Sequence, residues 1–163
     1  MPRSQNTTFA VGATGTVGRR LVQRLTDRGE AVRAATRTPS AYNGPAAVDA
    51  VPFDYLEPDT WPKALDSADR VFMMAPPDTA AYGQLVPFLE AAADAHVEHV
   101  VLMTAMGVDQ APDEMPLRSA ELTLIESALA ATILRPNWFM QNFTTFWRGM
   151  IEADGVMRMI HVE

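Results

Sequence analysis

Three glycines at a spacing of three, Gly12, Gly15 and Gly18, are the residues whose type and placement speak most directly of chemistry. They lie in Val11-Gly12-Ala13-Thr14-Gly15-Thr16-Val17-Gly18, after an apolar run, Phe9-Ala10-Val11, and before an amphipathic one, Val17 to Leu25. A strand, a glycine turn and a helix in that order can hold a pyrophosphate. Gly12 lets the chain leave the strand tightly, and Gly15 removes a side chain where the backbone must approach the phosphates. Gly18 lets the first helical turn pack close against the strand. The unpaired N–H groups and the positive end of the helix then face the anion. Glycines also punctuate ordinary turns, so the flanking strand-like and helix-like runs are what turn the spacing toward a nucleotide.

The end of the second strand selects the nucleotide. A dinucleotide fold commonly places a carboxylate there to hold the ribose hydroxyls of NAD. Thr36 and Arg37 occupy the place instead. A guanidinium grips a 2′-phosphate with paired hydrogen bonds, which a carboxylate would repel. NADPH is therefore expected over NADH, with Arg37 as its leading contact; the other reading is that Arg37 solvates a strand end. Asp54, after the third strand, stands where such folds usually meet the adenine ring, or else caps a turn.

These residues need a parallel sheet behind them, and the chain supplies its pattern. Arg28-Gly29 stops the first helix, with Gly29 as a left-handed cap. Strands are predicted at Ala31 to Thr36, Ala50 to Phe53, Arg70 to Ala75, Glu98 to Thr104 and Thr132 to Arg135. Helices are predicted at Thr60 to Ser67, Thr79 to Ala95 with a kink at Pro87, Met115 to Ala130 capped by Asp113, and Phe139 to Ile151. Arg33 is expected as an exposed strand residue, and His96 and His99 as solvated residues at the sheet end opposite the cleft. Strands alternating with helices predict an α/β fold, a Rossmann-type doubly wound parallel sheet with helices on both faces. Residues 1–163 form one domain on this reading.

Composition narrows the function classes. With 163 residues, 48% hydrophobic and 20% charged, the chain can build one ordinary core. A net charge of −7 without a basic patch argues against a nucleic acid partner. The absence of cysteine excludes disulfides, thiolate metal sites and cysteine nucleophiles. No metal-ligand spacing is present, no apolar run is long enough to span a bilayer, and no signal peptide precedes the first strand. A cytoplasmic protein with a small-molecule substrate is expected.

A second stretch, Leu134-Arg135-Pro136-Asn137-Trp138-Phe139-Met140-Gln141-Asn142-Phe143, joins the glycine turn in a specific combination. Together with Arg37, Val71 to Pro77, Val101 to Gly107 and Ala120-Glu121, it resembles the NmrA-like branch of the atypical short-chain dehydrogenases/reductases. Within that branch the chain is most similar to NAD(P)H-quinone reductases and ergot-alkaloid-type imine reductases. The resemblance implies NADPH in the cleft, with its nicotinamide near Ala75-Pro76-Pro77 and Thr104-Ala105-Met106. It places Asn137, Trp138 and Phe139 beside the nicotinamide and on the substrate side. It also expects an acidic residue at Glu121 in a catalytic role with Thr104, for which the alternative is a helix residue satisfied by a backbone or arginine contact.

The chemistry left open is direct hydride transfer to a quinone-like or imine-like acceptor. The Ser-Tyr-Lys set of the short-chain dehydrogenases is missing, because Tyr42, Tyr55, Tyr82 and Lys63 all fall outside the Met115 to Ala130 helix. Thr104 offers a hydroxyl to a substrate oxygen, but no partner to activate it. An acceptor that is already electrophilic needs little acid assistance, since the cofactor carries the reaction. The rival reading is a non-catalytic NAD(P)-binding redox sensor of the NmrA type. Family members run well beyond this length, so most of a C-terminal substrate-binding part is expected to be missing here. Its loss would expose the aromatic residues from Trp138 onward and make a homo-oligomer possible.

Overall fold

The computed structural model describes residues 6–76, 78–145 and 147–156. Six strands form one sheet in the order β3-β2-β1-β4-β5-β6, and every neighbouring pair is parallel. They are β1 (Thr7–Ala10), β2 (Ala31–Thr36), β3 (Asp49–Pro52), β4 (Arg70–Met74), β5 (His99–Met103) and β6 (Ala130–Leu134). The order reverses between β1 and β4, which opens a crevice at the carboxyl ends of the strands, where doubly wound sheets take their ligands.

Alternation along the strands divides the core in two, because successive side chains point to opposite faces. Phe9, Val11, Ala35 and Val51 join a large cluster with helices α2 (Trp61–Leu65), α3 (Leu85–Asp94) and α4 (Pro116–Glu126). Ala10, Val32 and Ala34 join a smaller one with Val22 of α1 (Thr16–Asp27). Phe88 sits centrally in the large cluster, its ring 5.1 to 5.5 Å from those of Phe53, Tyr55 and Trp61. β6 is an edge strand and exposes Ala130, Ala131, Thr132 and Leu134.

Several element boundaries differ from the sequence expectation, each for a local reason. The expected helix from Thr79 divides into a 3-10 stretch, Thr79–Gln84, and α3. Pro87 consequently lies in the first turn of α3, where a missing N–H costs no helical hydrogen bond and no kink is needed. The 3-10 stretch is capped by Asp78, whose side chain accepts from the Ala80 N–H at 2.9 Å. The expected Phe139 to Ile151 helix likewise divides into a 3-10 turn, Met140–Phe143, and α5 (Arg148–Asp154). Helix α4 begins at Pro116 with Met115 as its cap position; Asp113 makes no cap and instead lies 3.5 Å from Arg118. Arg33 is not solvated: its side chain is 13% exposed, bonded to Asp49 and to the carbonyls of Ala64 and Asp66. Gly29 takes the left-handed conformation, φ +74°, that the helix stop required. Among the described residues no helix is long and apolar enough to cross a membrane.

Candidate functional site: a dinucleotide cleft and a strand-end cavity

The glycine turn is as tight as its sequence demands. Gly12 has φ +70°, and its N–H-to-carbonyl turn closes when Gly15 donates to the Gly12 oxygen at 2.9 Å. At Gly18 a Cβ would stand 2.1 Å from the Gly12 oxygen and 2.6 Å from its carbon, so any larger residue would force the turn off the helix. Gly15 is the cap position of α1, is exposed, and carries no side-chain cap. The first-turn amides of Thr16, Val17 and Gly18 are therefore left without a capping side chain at the positive end of the helix.

In front of this turn lies a cleft of about 640 Å³. It brings together Gly12, Thr14 and Gly15, Arg37 from the end of β2, Asp54 beyond β3, and Ala75 and Pro76 beyond β4. Pro77 lies outside the described residues. Arg37 is exposed on the rim and makes no ion pair with another described residue. Asp54 serves its own turn, since Oδ1 accepts from the Leu56 N–H at 2.9 Å while the residue still lines the cleft. Thr36, which the sequence placed beside Arg37, also lines it, as do Thr38, Tyr55 and Asp78, which the sequence did not single out as cleft residues. Tyr55 is buried, with its hydroxyl donating to the Met74 carbonyl at 3.1 Å, and burial pushes its phenol far up. Its placement straight after Asp54 in the third-strand turn was the only signal for it.

A smaller cavity of about 310 Å³ opens at the end of β5. Thr104, Ala105 and Met106 form one side; Asn137, Trp138, Phe139 and Asn142 form the other. The backbone ties the two sides together, with Thr104 N donating to Leu134 O at 2.9 Å and Met106 N to Pro136 O at 3.0 Å. Trp138 is 61% exposed and leans on Trp147, ring centroids 5.1 Å apart; Phe143 meets the same Trp147 ring at 5.2 Å. Thr104 Oγ1 donates to Glu121 Oε1 at 2.7 Å.

Glu121 has no solvent exposure and does not line the cavity; it lies behind Thr104. Burial on its own would raise its carboxyl pKa. The hydrogen bonds from Arg135 (2.9 and 2.8 Å) and Thr104, with the Arg135 charge and a contact from Arg118 (3.4 Å), outweigh burial and hold it below the ordinary carboxylate range. The same pairing raises the Arg135 guanidinium. Position 104 thus has a charged partner after all, but one that only accepts a hydrogen bond from its hydroxyl. The arginines sit 14 and 3 residues from Glu121, and only the packing of α4 against the end of β6 brings all three together.

Comparison with known proteins agrees with this fold. The profile of the NAD(P)H-binding family matches residues 12–159. An uncharacterised oxidoreductase of Bacillus subtilis, YesF, is 32% identical over 155 residues, covering 93% of this chain and 51% of that protein. An NAD(P)H azoreductase of Xenophilus azovorans is 30% identical over 151 residues, covering 88% of this chain and 52% of that protein. The chain thus spans about half the length of the curated relatives it matches. Among solved structures, the NADPH complex of the Escherichia coli NADPH-dependent quinone oxidoreductase QOR2 superposes with a TM-score of 0.73 at 20% identity, over 90% of this chain and 54% of that one. At that identity the likeness shows the fold. A profile match across nearly the whole chain shows more: the chain belongs to the NAD(P)H-binding family, as the NmrA-like resemblance of its sequence implied.

Proposed function

We propose that this chain is the cofactor-binding part of an NADPH-dependent oxidoreductase that passes hydride directly to a small electrophilic acceptor, quinone-like or imine-like. The observation that carries the reading is one cleft holding both the glycine turn and an unpaired Arg37, with an aromatic-walled cavity at the next strand end. The residues fit the dinucleotide. A Cβ at Gly18 would collide with the turn, and the uncapped helix start at Gly15 and the Arg37 guanidinium line one cleft, which supports a pyrophosphate and a 2′-phosphate there. When bound, the reduced nicotinamide supplies the hydride. Gly12, Thr14, Gly15, Thr16, Val17 and Gly18 hold the phosphates; Arg37 selects NADPH; Asp54 borders the adenine. Ala75, Pro76, Thr104 and Asn137 flank the nicotinamide, and Trp138 and Phe139 offer flat apolar faces to a planar acceptor.

The relatives support this class of reaction, since YesF is named an oxidoreductase and the Xenophilus protein an azoreductase. The second reading, a redox sensor that binds the dinucleotide without turnover, draws on one observation: among the described residues neither tyrosine nor lysine lines the smaller cavity. Calorimetric titration with NADPH and NADH, alongside Arg37→Ala, tests the cofactor assignment. The variant is expected to lose about tenfold to hundredfold in NADPH affinity, the worth of a charge-assisted contact, and little for NADH. Equal, Arg37-independent affinity for the two would sink the NADPH preference. Sustained NADPH consumption with quinones or cyclic imines then separates reductase from sensor.

A further inference from the structure

The hydrogen bond between Thr104 and Glu121 has a fixed direction. Two guanidiniums face the Glu121 carboxylate, Arg135 with two contacts under 3 Å and Arg118 with one at 3.4 Å. So paired, it stays ionised, and an ionised carboxylate only accepts. The hydrogen in the 2.7 Å bond therefore belongs to Thr104. A hydroxyl has one hydrogen and two lone pairs. With that hydrogen committed to a side chain without solvent exposure, Thr104 has only lone pairs left for the cavity it lines. Asn137 has the opposite polarity. Its Oδ1 accepts from the Trp138 N–H at 2.7 Å, which leaves its amide N–H groups as donors on the facing side of the same cavity.

We propose that Thr104 is a specificity-determining hydrogen-bond acceptor of the strand-end cavity, locked in that polarity by Glu121, and that the group it meets is an N–H or O–H donor of the bound ligand. The identity of that ligand rests on the reductase reading above; the donor belongs either to the carboxamide of the cofactor or to the acceptor molecule. A bare carbonyl oxygen turned toward Thr104 would meet lone pair against lone pair. Such an oxygen is served by Asn137 instead. Thr104 is thus not the proton donor to a substrate oxygen that its residue type suggests.

Paired ligands test the polarity. Thr104→Val keeps the side-chain shape and removes the oxygen, and Thr104→Ser restores it. Each form of the 163-residue chain is titrated with NADPH and its acetylpyridine analogue, which lacks the amide N–H, and with aminonaphthoquinone and naphthoquinone. The donor-bearing member of one pair is expected to lose about tenfold in affinity in Thr104→Val and to recover in Thr104→Ser, its donor-free counterpart changing by less than about twofold. Loss confined to NADPH assigns the donor to the cofactor, and loss confined to aminonaphthoquinone assigns it to the acceptor. A purely structural role for Thr104 would move both members of a pair alike, and that result, or no change at all, overturns the proposal. A measurement without ligand decides the polarity separately. In the isotope-labelled chain the Thr104 hydroxyl proton is expected as a slowly exchanging resonance with cross-peaks to the Glu121 side chain, and rapid exchange in a folded chain also overturns it. If the unaltered chain fails to bind NADPH, the cofactor reading falls, while the hydroxyl resonance and the naphthoquinone pair still decide for or against Thr104.

Discussion

A carboxylate with no solvent exposure survives in a protein only when other groups replace its lost water, and Glu121 has three such partners in Arg135, Arg118 and Thr104. Removing its charge leaves the Arg135 and Arg118 guanidiniums together behind Thr104 without their shared counter-charge. Glu121→Gln is expected to cost about 3 kcal/mol by urea unfolding, the low end for breaking a buried pair, because Arg135 is one-third exposed and partly screened. The pH dependence follows from the direction of the shift. The folded carboxyl is held below its unfolded value, so the unfolded chain binds the proton more readily. The stabilisation is full above the ordinary carboxylate range and is lost as pH falls through the depressed folded value. Glu121→Gln should flatten this acid limb while lowering stability at neutral pH; an unchanged limb would show that the Glu121 carboxyl titrates alike in the folded and unfolded chain.

At the scale of the element, the strand–turn–helix unit joins local geometry to ligand binding. Gly15 can tolerate a side chain sterically better than Gly18, since its Cβ would stand 3.3 Å from the Gly12 oxygen rather than 2.1 Å. Gly18→Ala is therefore expected to displace the start of α1 from β1, destabilise the chain by about 2 kcal/mol as overpacking does, and abolish dinucleotide binding. Thermal unfolding and calorimetry read the two effects, and a variant that still bound NADPH with unchanged affinity would refute the cradle. The strand ends show a division of labour. β1 to β4 contribute the cleft of the glycine turn, while the ends of β5 and β6, bonded through Thr104 and Met106, contribute the aromatic cavity.

Across the whole molecule, one ring joins the elements that hold the cleft open. Phe88 of α3 touches the rings of Phe53 and Tyr55 beyond β3 and Trp61 of α2, and lies 6.4 Å from Phe9 of β1. Phe88→Ala is expected to cost about 3–5 kcal/mol in global unfolding by urea, with loss of cleft order, and a cost under about 1 kcal/mol would show that the cluster collapses around the gap. The sequence alone determined the parallel α/β sheet, the extent of β2 and the glycine turn, because these follow from period, glycine placement and short-range sterics. Helix continuity from Thr79 and from Phe139 was misread, since alanine-rich and aromatic runs have the composition of helices whichever way packing breaks them. Arg33 reads as an exposed strand residue from its sequence because its carbonyl partners, Ala64 and Asp66, lie more than thirty positions away. An arginine contact for Glu121 was one reading the sequence offered; which arginines meet it, and that Thr104 joins them, belonged to the tertiary structure. Residue type supplied a hydroxyl that can donate or accept; only the meeting of Glu121 with Arg135 and Arg118 decided which, because hydrogen-bond direction is set by neighbours that sequence distance does not reveal.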